Sequence, residues 1–112
     1  MKHDIEVCLY NIREAGGYIL EFTAGMSLED YRCNALVKAA VERKFAIIGE
    51  ALVRLRQEQP ELPESISEPE KIIGFRNVLV HGYDMIEDAT VWSAIKSSLP
   101  ILLEEVQSLL SA

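Results

Sequence analysis

Arg76, Asn77, His81 and Tyr83 fall within one short stretch, "IIGFRNVLVHGY", running from Ile72 to Tyr83. These residue types suit phosphate chemistry. A histidine moves protons near neutral pH. An arginine's planar fork binds two phosphate oxygens at once and stabilises charge that develops in a transition state. An asparagine beside them can hold an imidazole tautomer or bond a ribose hydroxyl, and Tyr83 adds a phenol just beyond.

The stretch has helical spacing. On a helical wheel Ile72, Phe75, Val78 and Leu79 share one face, the expected core face. Asn77, His81 and Gly74 share the opposite side, with Asn77 and His81 one turn apart. Arg76 is the odd residue, set between Ile72 and the Ile73/Val80 pair. Burying that cation without a partner costs several kcal/mol, so it calls for a carboxylate, a phosphate or a wet interface. Glu50, in "IIGEAL" upstream, is the first internal partner to expect. The residues alone leave two readings open. One is a phosphate-handling site. In the other, His81 caps a helix end, Arg76 pairs with Glu50 to hold two helices together, and Gly82 is ordinary termination.

The positioning elements read as all-α. Ile5, Leu9, Ile12, Ile19 and Phe22 give a first amphipathic helix from Lys2 to about Phe22. Ser27 opens a second, to Glu58, with a bend expected near Arg32 and apolar groups wide enough to pack on two sides. The linker "QEQPELPESISEPE" follows, its glutamates expected to be solvated. Pro69 starts a third helix that Gly82 stops after His81. A fourth begins near Asp88 or Thr90 and reaches Leu110, with Pro100 expected to kink it. The expected architecture is an antiparallel four-helix-type bundle, one domain over residues 1–112.

Composition narrows the function classes. The chain has 112 residues, 49% hydrophobic and 26% charged, which is ordinary for a globular domain. A net charge of −7 argues against a protein that coats nucleic acid. Residues 32–56 nevertheless carry six basic and two acidic groups, a local +4, leaving −11 elsewhere. Cys8 and Cys33 are too few for a disulfide framework or a zinc site and are expected to be reduced and buried. The N-terminus does not read as a signal peptide and no apolar run is long enough to span a membrane, so a cytoplasmic location without membrane association is expected. No Gly-rich phosphate loop, Ser-His-Asp set or metal-ligand cluster is present, and no cofactor is expected. His3 near the terminus is expected to be solvated, and Trp92 to be core.

The motif also carries a resemblance. Arginine, a polar residue, three more, histidine, one residue, tyrosine is the pattern of the HepT-like members of the HEPN superfamily, and Arg76, Asn77, His81 and Tyr83 fill each place. "VERKFAIIGEALVRL", with Gly49 and Glu50, is similar to that family's second-helix segment, and Val91-Trp92 with "LPILLEEV" to its last helix. The resemblance implies a two-fold homodimer that joins two motif helices into one cleft. It also implies a metal-independent endoribonuclease acting as the toxin of a type VII toxin–antitoxin pair. There Arg76 would bind the scissile phosphate, His81 would be the general acid or base on a ribose 2′-OH, and Asn77 would orient. The implied partner is an MNT-type nucleotidyltransferase antitoxin that adds AMP to Tyr83. Two rival readings remain at this point: a non-catalytic, nucleotide-binding regulatory subunit of a nucleotidyltransferase complex, and a helical dimerisation module in which Arg76–Glu50 is structural.

Overall fold

The computed structural model describes residues 3–61, 66–67, 69–81 and 86–111. All regular structure among them is helical: α1 (His3–Phe22), α2 (Leu28–Arg32), α3 (Ala35–Glu58), α4 (Pro69–His81), α5 (Asp88–Ser93), a π-helical turn (Ala94–Ser98) and α6 (Leu99–Ser111). The all-α expectation holds.

α1 buries Ile5, Leu9, Ile12 and Ile19 completely. Past its end, Thr23 Oγ1 donates to the Ile19 carbonyl, and Gly25 at φ +76° turns the chain. Ser27 then caps α2 reciprocally: its hydroxyl accepts from Asp30 N–H, and its own N–H donates to the Asp30 carboxylate.

The long second helix expected from Ser27 to Glu58 is two helices. Asn34 adopts an extended conformation and accepts from Val37 N–H, so it ends one helix and caps the next. That break turns Cys33 outward. Cys8 is buried as expected, whereas Cys33 is exposed.

α3 is the central element. It packs on α1 through one side and on α4 through the other, burying Val41, Phe45, Ile48, Leu52 and Leu55. Two described residues of the linker before α4 are anchored. Ile66 is buried, and Ser67 donates through its N–H and its hydroxyl to the Glu105 carboxylate on α6.

From Asp88 to Ser111 the chain is helical throughout, with a wider turn before Pro100. The Leu99 N–H bonds to the Ala94 carbonyl, five residues back. Pro100 has no N–H to donate and its ring crowds the preceding turn, which is the kind of place where a π turn occurs. At the other end, Lys38 Nζ pairs with Asp88 Oδ2 at 3.1 Å, tying α3 to the start of α5. Near this pair Tyr31 is fully buried against the partly buried Trp92, with ring centroids 5.6 Å apart. Burial pushes the Tyr31 phenol far above its ordinary range, and its hydroxyl has no partner among the described residues. Burial also raises the Glu42 carboxyl; Lys38 opposes this and Asp88 reinforces it.

Candidate active site on the third main helix

α4 lies on α3 with its buried side formed by Ile72, Ile73 and Leu79. That is a rotation from the expected setting, in which Phe75 and Val78 shared the core face. Val78 is 43% exposed, and Phe75 is half-buried, edge-on to Phe45 at 5.2 Å. The rotation puts Arg76 at the middle of the buried side, against α3, where the sequence had placed it on an edge.

What admits an arginine there is Gly49. A Cβ at that position would overlap Cβ of Arg76 and come within 2.5 Å of its Cγ. The missing side chain on α3 is therefore the seat for the Arg76 stem. A glycine inside a 24-residue helix costs roughly 0.5–1 kcal/mol relative to alanine, and here the close approach accounts for it.

From this seat the guanidinium reaches the helix boundary. Its Nη1 donates to Asn77 Oδ1 at 2.9 Å, and its Nη2 lies 3.5 Å from Glu50 Oε1. Its Nε is buried with no partner among the described residues. The Arg76 side chain is 24% exposed and that of Glu50 is 50% exposed. The cation is thus oriented by two acceptors and neutralised by neither at close range.

The structure brings together Arg76, Asn77 and Glu50. Asn77 Oδ1 accepts from Arg76, and the expected contact of Asn77 with His81 falls on a side chain outside the described residues. His81 is the last residue of α4, one turn beyond Asn77, and its side chain lies outside the described residues. Tyr83 lies outside them too. Gly49 was visible only as half of a Gly-Glu pair; its clue was a glycine on a helix's buried stripe.

Beside the exposed Gly74 and Val78 runs an apolar groove of about 520 Å³, walled by Phe75 and Val78 on one side and Thr90, Ser93 and Leu102 on the other. Among the described residues no group of three or more His, Cys, Asp or Glu comes together to hold a metal ion.

A family model described as ribonuclease HepT-like matches residues 12–109. The chain belongs to the HepT-like family. It is 30% identical over 110 residues to a "putative RNase" of Methanocaldococcus jannaschii, covering 95% of this chain and 96% of that protein. It is also 30% identical over 113 residues to a "probable ribonuclease HepT" of Thermococcus cleftensis, covering 97% and 98%. A further "putative RNase" from Caldanaerobacter subterraneus is 29% identical over 102 residues, covering 91% and 90%. No solved structure matches the chain. Membership places the chain in a ribonuclease family across nearly its full span. None of its helices, among the described residues, is long and apolar enough to cross a membrane.

Proposed function

We propose that this HepT-like chain is a metal-independent endoribonuclease and the toxin of a toxin–antitoxin pair, with Arg76, Asn77 and His81 as its catalytic groups. The observation that carries the reading is the setting of Arg76: a cation seated on Gly49, oriented by Asn77 and Glu50, with its guanidinium only partly satisfied. A structural ion pair is a weak account of it. At 3.5 Å with a half-exposed carboxylate, the pair contributes about 0–1 kcal/mol. That is too little to explain an arginine on the buried side of a helix.

In this mechanism His81 removes the proton of a ribose 2′-OH, whose oxygen attacks the adjacent phosphorus. The bond from phosphorus to the 5′ oxygen breaks, and that oxygen takes a proton, leaving a cyclic phosphate and a free 5′-OH. Arg76 binds the non-bridging oxygens, where negative charge builds up. Asn77 holds the guanidinium plane and Glu50 supports it from α3. Two copies of the chain would place two α4 helices along one cleft, so the site would be complete in a homodimer. The antitoxin would be an MNT-type nucleotidyltransferase that transfers AMP from ATP to the Tyr83 oxygen, with pyrophosphate as the leaving group, silencing the site beside His81.

One observation favours a second reading. The net charge of −7 gives little general attraction for RNA, and a regulatory subunit that presents Tyr83 to the transferase would not need it. Arg76→Ala separates the two. The ribonuclease reading predicts loss of RNA cleavage with the fold retained by circular dichroism. A wild type that never cuts RNA, yet accepts AMP on Tyr83 by mass spectrometry, supports the regulatory subunit.

A further inference from the structure

The groove beside α4 joins apolar faces to one polar wall. Phe45, Ile72, Phe75, Leu99 and Leu102 line its volume of about 520 Å³, with Phe75 edge-on to Phe45 at 5.2 Å. Small-molecule sites span about 300–1,000 Å³ and have this apolar, aromatic character. Thr90, Ser93 and Ser98 share the wall formed by α5 and the π turn. None of these hydroxyls makes a hydrogen bond among the described residues. No charged side chain lines the groove among them either.

The π turn adds a backbone acceptor to that wall. The Leu99 N–H is committed to the Ala94 carbonyl, and Pro100 has no N–H. The Ile95 carbonyl therefore lacks both donors, four and five residues on, that a helix could give it. It opens towards the turn at Leu99, and Ala94, Ser98 and Leu99 all line the groove. Single π turns inside α-helices recur at functional sites. The mouth lies next to the candidate site. Gly74 and Val78 are exposed on the α4 rim, and the neighbouring Asn77, also exposed, bonds Arg76. Gly74 puts no side chain on that rim.

We infer that this groove is a nucleobase subsite, taking the base of a nucleotide next to the cleaved bond. Its ligand class rests on the ribonuclease reading. With a phosphate at Arg76, the strand would cross α4 at Gly74 and turn a base inward. The base would lie against Phe75 and the aliphatic walls. An N–H on its edge would donate to the Ile95 carbonyl, and the Thr90 and Ser93 hydroxyls would serve its other polar atoms. The lining selects this occupant. An acyl chain, or an apolar side chain from a second copy, would cover the carbonyl and the hydroxyls without giving them partners. A charged group would meet no counter-charge. An RNA base is flat, neutral and edged with both donors and acceptors, so it meets each of these conditions.

The test uses the full chain carrying His81→Ala, which under the proposed mechanism binds without cutting, and a labelled RNA of about ten nucleotides. Its control is an abasic ribose-phosphate chain of the same length and charge. Titration by fluorescence anisotropy should show the RNA bound about tenfold or more tighter than the abasic chain. Gly74→Leu blocks the rim and should remove that difference. Thr90→Val with Ser93→Ala should shrink it about threefold or more, whereas Arg76→Ala should weaken both ligands alike. Gly74, Thr90 and Ser93 are exposed, and circular dichroism melts check that the fold persists. Equal binding of RNA and abasic chain, or an RNA preference that survives Gly74→Leu, would overturn the inference. So would AMP binding as tightly as the RNA, which would make this a free-nucleotide site, or self-association that Gly74→Leu abolishes, which would assign the groove to a second copy. Cleavage by wild type without any preference for bases would sink the subsite alone. A base preference without cleavage by wild type would sink the ribonuclease reading alone.

Discussion

Arg76 shows how a residue can look misplaced on its own helix and well placed on the next one. Its stem fits because α3 offers a glycine at the contact, and its charge is tolerated because the guanidinium emerges at the helix boundary. Gly49→Ala should therefore cost about 1–3 kcal/mol, since the obstructing atoms are the rigid start of the arginine side chain. Urea unfolding measures this, and RNA cleavage should fall with it as α4 shifts. Glu50→Gln should cost under about 1 kcal/mol, because the carboxylate is half-exposed and its pairing is long. Under the proposed mechanism it should still lower cleavage by loosening Arg76. From sequence, the oddity of Arg76 and its partner Glu50 were both legible. The rotation of α4 was not, because its apolar residues spread over more than half the wheel and periodicity could not choose between two buried arcs. His81 and Tyr83 were legible as types and spacing, and their roles stay with the proposed mechanism.

The elements follow local chemistry closely where a cap decides them. Ser27 and Asp30 start α2, and Asn34 divides α2 from α3. Asn34→Ala should lower stability by about 1 kcal/mol, read as a reduced urea midpoint with an unchanged slope. The division was foreshadowed in the sequence only as a bend near Arg32, since Asn34 can also be tolerated inside a helix. The π turn before Pro100 could not be read from periodicity, which shifts by only one residue there. α3 also carries a pH-sensitive group. Glu42 has its carboxyl raised, first by burial, so its ionised form is the disfavoured one in the fold. Its contribution to stability is present below the ordinary carboxylate range and is lost as pH rises through its raised value. Glu42→Gln should melt higher than wild type at neutral pH, and the gap should close as pH falls towards the ordinary carboxylate range. Thermal melts across that range check the sign.

Under the proposed function, an acidic molecule with an inward-facing arginine has to gather RNA locally. The +4 balance of residues 32–56 sits on α3 and its entry, the element against which Arg76 is set. Under the proposed function the chain would make few phosphate contacts, so RNA affinity should fall with salt less steeply than for a protein that neutralises six to ten phosphates. The all-α class was readable because no segment alternates as a strand does, and family membership agrees with it. The proposed chemistry can be put to an RNA cleavage assay in EDTA. It compares unmodified wild type with His81→Ala, with intact masses recorded to establish that Tyr83 carries no AMP. Wild type should cut, and His81→Ala, folded to the same extent, should not. Equal cleavage by both proteins, or no cleavage by unmodified wild type, would contradict it.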